Sequence, residues 1–328
     1  MTGPGDGRPV DGTGGEGPAR SPRAGGTAAG GGLLVVGEVV TDVVARHRTP
    51  LAYGTDTTAR IRTLPGGAGA NVACWAAWSG CPDVRLLARA GVESAGWHRE
   101  ALERAGVRAL LAVDDEAPTA TVIALVDAGA ERTFLTDSGA VLRLTAEDVA
   151  PSVLDGVGRV HVSGYLLFAP GSRAAARLAL RAAVERGVPV SVDPASAGFL
   201  GALGPKRFLE YAQGAELLVP NADEAQLLSG LPEPGDAAAE LSRRFPRVVV
   251  TLGAHGAVVA AGGEVIGRVA APPVGEPVDS TGAGDAFTGG FLAALLAGSD
   301  DTAAALAGCR AGAAAVGTVG GRPPLAAR

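Results

Sequence analysis

Short apolar runs alternate with helical segments along most of this chain, and this alternation limits the fold more than any other feature. Runs that are typical of buried strands lie at 33–36, 85–88, 160–162, 190–193, 217–219 and 248–251. Segments with helical periodicity lie at 69–80, 94–105, 172–186, 206–213, 222–229, 237–245 and 303–317. Strands that alternate with helices predict an α/β fold, with a mainly parallel central sheet and helices on both of its faces.

Two regions of the chain interrupt this alternation. Residues 43–63 and 110–135 contain segments in which apolar and polar residues alternate one by one, such as Thr57–Thr63 and Thr121–Val126. This period is typical of strands with one covered face. We therefore expect a second, smaller β-sheet, with its strands in these two regions and apart from the main sheet.

Residues 1–32 differ in composition from the rest of the chain. Half of them are glycine or proline, and they contain no apolar run. Such a segment cannot bury enough apolar surface to offset its conformational entropy, so we expect a disordered tail followed by one domain at 33–328. The segment also lacks the apolar core of a signal peptide, and no later stretch is long and apolar enough to span a membrane.

Charge and cysteine content argue against several classes of function. The 28 basic and 34 acidic residues give a net charge of −6, which argues against binding to nucleic acid or to a membrane surface. Cys74, Cys81 and Cys309 are odd in number and lack a metal-binding spacing, so we expect reduced thiols and a cytoplasmic location.

Lys206 is the only lysine and follows Pro205, so the chain has no phosphate-binding P-loop. Any phosphate must be held by backbone N–H groups, arginine or a metal ion.

The segment Gly282-Ala283-Gly284-Asp285 carries the strongest chemical signal. The apolar residues that follow it recur at helical spacing, so the segment forms a loop that opens a buried helix. The first turn of a helix has free N–H groups and a positive dipole end, and glycine lets an anion approach that backbone closely. An acid at this place can take a proton from a hydroxyl while the N–H groups hold a phosphoryl group. The alternative is that Asp285 only caps the helix.

Residues 279–291 closely resemble the C-terminal signature of the ribokinase-like (PfkB) carbohydrate kinases. The resemblance extends from residue 33 to about residue 322 and implies a ribokinase-like fold, in which the small sheet is a lid over the substrate. It implies that Gly282, Ala283 and Gly284 line an anion hole and that Asp285 is the catalytic base. The expected reaction is transfer of the γ-phosphoryl group of ATP, with Mg²⁺, to a hydroxymethyl group of a sugar or sugar-like molecule.

Four residues are candidates for binding the acceptor. The segment from Leu64 to Asn71 places a glycine-rich turn at a helix N-terminus, and it resembles the di-glycine signature of the same family. The resemblance implies that Gly66, Gly67 and Asn71 hold sugar hydroxyls, whereas the residues alone are equally consistent with a helix entry capped by Asn71. Asp42 follows the first strand, at the edge where ligands bind to parallel sheets, and the family uses this acid as a sugar ligand. The alternative for Asp42 is a solvated loop acid.

Two further segments are candidates for the nucleotide side. Asn221 and Glu224 open a helix directly after a short strand, with the spacing of a capping box and of the family's NxxE motif. The resemblance implies that Asn221 contacts phosphates and that Glu224 organises Mg²⁺ through water, which suits an ion that keeps several waters. Thr251, Gly253 and Gly256 form a strand end and a turn that resemble the family's nucleotide-side turn, and a plain turn is the alternative.

The resemblance leaves one ion, the acceptor and the assembly open. Asp279 lies where some family members bind a monovalent cation such as K⁺. The acceptor is a small molecule, either a sugar or, as the alternative, a nucleoside of the adenosine or pseudouridine type. A third hypothesis is a catalytically silent sugar-binding regulator. Homodimers formed through the lid are common in the family and are a hypothesis for this chain.

Overall fold

The computed structural model of the protein describes Met1, Gly3 and residues 31–129 and 131–324. The predicted disordered tail therefore falls almost entirely outside the described residues. Gly32, which the sequence places in that tail, belongs instead to the first strand, because its backbone pairs with a neighbouring strand.

Nine strands form the larger of two sheets. Numbered along the whole chain, they are β1 Gly32–Val36, β4 Val84–Gly91, β5 Val107–Asp114, β8 Val157–Ser163, β9 Val190–Asp193, β10 Leu217–Leu218, β11 Arg247–Thr251, β12 Ala257–Ala261 and β13 Glu264–Val269. Their spatial order is β13-β12-β11-β10-β9-β8-β1-β4-β5. All neighbours from β11 to β5 pair in parallel, whereas β12 and β13 are added antiparallel at one edge. The prediction of a mainly parallel sheet is confirmed.

Helices cover both faces of this sheet. In the described part of the chain they are α1 Ala68–Trp78, α2 Ala95–Arg104, α3 Tyr165–Phe168, α4 Pro170–Glu185, α5 Ala197–Leu203, α6 Pro205–Tyr211, α7 Ala222–Ser229, α8 Pro234–Leu241, α9 Ala283–Leu296 and α10 Asp301–Ala315. Helix α8 lies earlier than the predicted 237–245, because Pro234 is favoured in the first turn of a helix. None of the described helices combines the length and the apolarity needed to cross a membrane.

The two faces have separate apolar cores because alternate side chains of a buried strand point in opposite directions. Leu34 and Val36 of β1 pack in one core with residues of α4, α6, α7 and α8. Leu33 and Val35 pack in the other with residues of α1, α2, α9 and α10. Every residue of β1 is buried, so this central strand is a fixed platform for the loop that follows it.

Four strands form the smaller sheet, which is reached directly after β1. They are β2 Val40–His47, β3 Ala59–Gly66, β6 Ala120–Val126 and β7 Arg132–Asp137, in the order β3-β2-β6-β7. Strands β2 and β6 are parallel, and the two outer pairs are antiparallel. The predicted range 110–135 for this sheet is wrong at its start, because residues 110–114 belong to β5 and pair with β4 in the larger sheet. The strands also extend beyond the predicted ranges, to residues 40, 66 and 137.

Candidate active site

The carboxyl ends of the parallel strands form one edge of the larger sheet, and polar residues gather there. Ser163, Asp193 and Thr251 are the last residues of β8, β9 and β11. Glu38 follows β1, and Asn221 follows β10. Because parallel strands end on the same side, these residues line one cleft along the sheet, which is where ligands bind in folds of this type.

The N-terminus of α9 points its backbone at this cleft. Gly282 caps the helix with a φ of +73°, in the left-handed region that glycine tolerates best. A Cβ on Gly282 would lie 2.5 Å from the Cα of Gly321, so this turn is packed tightly against the C-terminal loop. Ala283 and Gly284 form the first turn, whose N–H groups have no partner within the helix. The Ala283 N–H makes one long contact, 3.3 Å to the carbonyl oxygen of Ser280. The arrangement provides a preformed binding site for an anion.

Asp285 lies in the same first turn and meets a side chain from the opposite end of the chain. The Asn71 side-chain amide donates a 2.8 Å hydrogen bond from Nδ2 to Oδ2 of Asp285. Burial raises the pKa of Asp285 to about 8, the Asn71 amide lowers it, and the nearby Asp193, Glu38 and Asp42 carboxyls raise it further. A carboxyl with a pKa near neutrality is a much stronger base than an ordinary aspartate, so Asp285 has the chemistry of a general base.

The residues predicted to bind the acceptor converge beside Asp285. Gly67 has a φ of +96°, and a Cβ there would lie 2.5 Å from the carbonyl oxygen of Glu38. Gly66 at the end of β3 lies against the carboxyl of Asp42 on β2, so neither glycine position can accept a side chain without movement. Burial raises the pKa of Asp42 to about 6, whereas the positive charge of Arg322 lowers it. The structure thus brings Asp42 and the glycine turn together with Asn71, the neighbour of Asp285.

Glu38 is a site residue that the sequence reasoning did not select. It is buried, and its Oε1 accepts a 3.0 Å hydrogen bond from the N–H of Gly69 at the start of α1. Burial raises the pKa of Glu38 to about 7, the Gly69 N–H lowers it, and the Asp193 carboxyl raises it. The rule that selected Asp42, an acid after a strand, also applies to Glu38, and Asp193 is an acid at the very end of a strand, so this signal was present in the sequence.

Arg322 is a second site residue that the sequence reasoning missed, and here no sequence signal existed. It follows the last helix by several residues in an irregular loop. Its Nη2 donates a 3.1 Å hydrogen bond to the carbonyl oxygen of Gly66. Its position beside Asp42 depends on a contact between the two ends of the chain.

Three of the five nucleotide-side candidates line a cavity of about 630 Å³ at the ends of β10 and β11. Asn221, Thr251 and Gly253 are in its wall, together with His255 and Arg268, which the sequence reasoning did not select. Gly256 is not in that wall. It closes the turn behind the cavity, where its carbonyl oxygen accepts a 2.8 Å hydrogen bond from Leu252.

Asn221 and Glu224 form a complete capping box at the start of α7. The Asn221 Oδ1 accepts from the Glu224 N–H, and the Glu224 Oε2 accepts from the Asn221 N–H, both at 2.9 Å. Glu224 is buried, and burial raises its pKa to about 7, against the lowering effect of the Asn221 N–H. The capping alternative is therefore realised, and it fixes the Glu224 carboxyl at the edge of the cleft.

Asp279 joins two loops beneath the anion-binding turn. Its Oδ1 accepts a 2.9 Å hydrogen bond from the N–H of Thr281, and its Oδ2 accepts a 3.1 Å bond from the N–H of Gly320. The carboxyl is buried at this junction. It therefore holds the C-terminal loop against the segment that leads into α9.

This combination of fold and site defines a class of protein. An α/β kinase that acts on small molecules needs three parts. They are a helix N-terminus that can bind an anion, a carboxyl beside it that can accept a proton, and a separate cavity along the same edge of the sheet. The family described as pfkB family carbohydrate kinase matches residues 32–328. A fructokinase from Klebsiella pneumoniae is 33% identical over 293 residues, which cover 84% of this chain and 89% of the relative. The chain belongs to the PfkB family of carbohydrate kinases and is an enzyme.

Solved structures agree with the fold. An adenosine kinase from Sinorhizobium meliloti superposes with a TM-score of 0.81 at 24% identity, covering 90% of this chain and 96% of the other. An E. coli protein whose structure contains ATP and Mg²⁺ has a TM-score of 0.78 at 25% identity, covering 89% and 94%. The expected ribokinase-like fold is confirmed.

Proposed function

We propose that this protein transfers the γ-phosphoryl group of ATP to a hydroxymethyl group of an uncharged sugar or sugar-like acceptor. In this reaction Asp285 removes the proton from the acceptor hydroxyl. The backbone N–H groups of Gly282, Ala283 and Gly284 stabilise the negative charge that develops on the transferred group. The transfer step itself needs little covalent help from the protein, so positioning and electrostatics carry the catalysis.

One observation carries this proposal: the 2.8 Å contact between Asn71 and Asp285. Asn71 is an acceptor-binding candidate at the start of α1, and Asp285 is the base at the start of α9. A general base must lie within hydrogen-bond distance of the proton that it removes. The contact supports the proposal because a hydroxyl bound by Asn71 would lie beside the carboxyl that would deprotonate it.

The residues on the nucleotide side fit ATP and Mg²⁺. The cavity of about 630 Å³ is large enough for a nucleotide, and Thr251 and Gly253 line it as the resemblance implies. The raised pKa of Glu224 shows a buried carboxyl without a full counter-charge, which a nearby cation would stabilise in its ionised form. Bound Mg²⁺ would neutralise phosphate charge, and Glu224 would hold its water shell while Asn221 contacts the phosphates.

The charges around Asp285 favour an uncharged acceptor. Three carboxyls, Asp193, Glu38 and Asp42, are close enough to raise the pKa of Asp285. A sugar acid or sugar phosphate would bring another negative charge into this group, whereas a neutral polyol would donate hydroxyl hydrogens to it. We expect kcat/KM for a neutral sugar such as fructose to exceed that for 2-keto-3-deoxygluconate, measured at the same Mg²⁺–ATP concentration.

Asp285→Asn tests the proposed reaction. The change keeps the shape of the side chain but removes the base, so we expect kcat to fall roughly 10²–10⁴-fold while the ATP dissociation constant changes little. Asp300→Asn is the matched control, because Asp300 also lies at a helix start, as the N-cap of α10. The control should keep wild-type kcat. Near-wild-type kcat in Asp285→Asn would refute the role of this residue.

A nucleoside kinase is the alternative within the same family, because the same base and anion hole would serve a nucleoside hydroxymethyl group. Phosphoryl transfer to fructose, ribose, adenosine and pseudouridine, measured side by side, separates the two. A catalytically silent sugar-binding regulator predicts binding of one of these compounds without transfer to any of them. The retained Asp285 carboxyl with its raised pKa argues against that third hypothesis.

Two further features remain proposals. Asp279 is the candidate ligand for a monovalent cation, and a rate increase on replacing Na⁺ with K⁺ would support it.

The smaller sheet leaves Ile61 and Leu135 more than half exposed, and their strand register places them on one face. An apolar sheet face suits a homodimer formed through the lid. A monomeric mass from light scattering at micromolar concentration would exclude that dimer under those conditions.

A further inference from the structure

Arg322 is a half-buried cation on the acceptor side, and two of its nitrogen atoms have no hydrogen-bond partner among the described residues. These atoms are Nε and Nη1, and both are shielded from solvent. Burial of charged nitrogen atoms is unfavourable unless partners compensate it. The contacts of the third guanidinium nitrogen, Nη2, indicate which part of the cleft Arg322 serves.

Among the described residues, Arg322 donates one hydrogen bond, and it goes to the acceptor side of the cleft. Its Nη2 lies 3.1 Å from the carbonyl oxygen of Gly66, the last residue of β3. The positive charge of Arg322 also lowers the pKa of Asp42, whose carboxyl lies against Gly66. The guanidinium thus contacts the end of the smaller sheet at the glycine that also touches the carboxyl predicted to bind the acceptor.

The loop that carries Arg322 is held firmly in place. The preceding residue, Gly321, accepts a 2.9 Å hydrogen bond from the indole Nε1 of Trp75 and packs against the Asn71 amide. Gly321 also lies against Gly282, and the N–H of Gly320 binds Asp279. The loop therefore connects the base of the anion hole to the acceptor side.

We propose that Arg322 is a positioning residue that sets the affinity of the acceptor site. Its hydrogen bond holds Gly66 at the end of β3, and its charge keeps Asp42 available as an ionised hydroxyl acceptor. This inference rests on the proposed function for its kinetic meaning. It predicts that changes at Arg322 act on acceptor binding rather than on the transfer step, because Asp285 and the anion hole do not touch the guanidinium.

Arg322→Gln and Arg322→Lys, with Arg159→Gln as the control, test this inference. Arg159 is a buried arginine with an ion-pair partner, Glu216, and it lies near the amino end of β8, away from the cleft. For the best neutral acceptor, we expect Arg322→Gln to raise KM at least about tenfold with kcat within about threefold. Arg322→Lys keeps the charge and should raise KM less. Arg159→Gln should leave the acceptor KM within about twofold of wild type, whatever it does to the melting temperature.

An unchanged acceptor KM in Arg322→Gln would overturn the inference. An equal loss of kcat, of acceptor affinity and of ATP affinity would also overturn it, because equal losses indicate a general structural role. If Arg322→Gln does not fold, Arg322→Lys decides, and a wild-type KM in that variant overturns the inference. A wild-type protein that phosphorylates no tested acceptor would instead refute the proposed function. In that case hydrogen exchange without substrate still tests the positioning role: Arg322→Lys, unlike Arg159→Gln, should speed exchange in residues 59–67, and equal rates would refute it.

Discussion

The two halves of the cleft are built in different ways. On the proposed nucleotide side, the contacts are local: Asn221 and Glu224 bond each other across three residues, and Leu252 bonds Gly256 across a single turn. On the proposed acceptor side, Asn71 and Asp285 are 214 residues apart. The bond from Arg322 to the end of β3 spans 256 residues.

This difference determines how far the effect of a mutation should spread. A local capping box keeps its geometry as long as its own helix is folded. A substitution in the capping box should therefore affect only the metal requirement. The acceptor side combines four segments and several coupled carboxyls, so a change at one residue alters the charge and position of its neighbours.

Acidification should inactivate the acceptor side first. The pKa of Asp285 is about 8, so this base is about half ionised at pH 8 and about 1% ionised at pH 6. With saturating Mg²⁺–ATP, acceptor kcat/KM should fall roughly 50-fold or more between these two pH values. The residual kcat/KM of Asp285→Asn should not show this fall between pH 8 and pH 6. A flat profile from pH 6 to pH 8 in the wild type would contradict the assignment of the base.

The same titration predicts that stability decreases as pH rises. The folded-state pKa of Asp285 lies above the ordinary aspartate value, so between pH 4 and pH 8 the folded state binds more protons than the unfolded state. Ionisation of Asp285 therefore lowers the free energy of unfolding over this range. The melting temperature should be lower at pH 8 than at pH 6, and Asp285→Asn should reduce that difference. If the melting temperatures at pH 6 and pH 8 differ as much in Asp285→Asn as in the wild type, other groups cause the pH dependence of stability.

Asp42→Ala should affect the acceptor and spare the nucleotide. Loss of a charged hydrogen-bond partner should cost roughly 1.5–3 kcal/mol, or about 10–150-fold in acceptor kcat/KM. The ATP dissociation constant, measured without acceptor, should stay within a few-fold. Asp56→Ala is a suitable control, because Asp56 is an exposed acid in the loop between β2 and β3. A large loss of ATP affinity in Asp42→Ala would mean that the two halves are not separable as described.

Glu224→Gln should affect the metal requirement alone. Glutamine keeps an oxygen that can accept the hydrogen bond from the Asn221 N–H, so the capping box survives while the charge is lost. The Mg²⁺ concentration for half-maximal rate should rise roughly tenfold. This is the lower end of the effect on metal affinity that is typical when a group that orients metal ligands is changed. The acceptor KM should not change. A variant that loses stability without any change in Mg²⁺ dependence would leave Glu224 with the capping role only.

Ala195→Gly should stabilise the protein slightly. Ala195 has a φ of +69° and is the only non-glycine residue with a positive φ in the described part of the chain. It lies two residues after Asp193, between the two halves of the cleft. Relief of this strain should contribute about 1 kcal/mol, a rise of a few degrees in melting temperature. Ala202→Gly, in the exposed part of α5, should have the opposite sign. A lower melting temperature for Ala195→Gly would contradict the strain argument.

The accuracy of the sequence predictions follows the same division. The parallel sheet, the helices and the capping box depend on periodicity and spacing within short windows, and the structure has them all. The assignment of residues 110–114 to the small sheet failed for a physical reason. They belong to β5, the edge strand of the larger sheet, and an edge strand that is partly exposed has the same alternating pattern as a lid strand.

The fold class and the turn that opens α9 follow from patterns among neighbouring residues of the sequence. The contact between Asn71 and Asp285, the bond from Arg322 to the end of β3 and the rise of the Asp285 pKa to about 8 could be found only in the folded chain. A charged group that is removed from solvent takes its properties from the groups around it. In this protein the surroundings come from both ends of the chain, which meet only when the sheet has assembled.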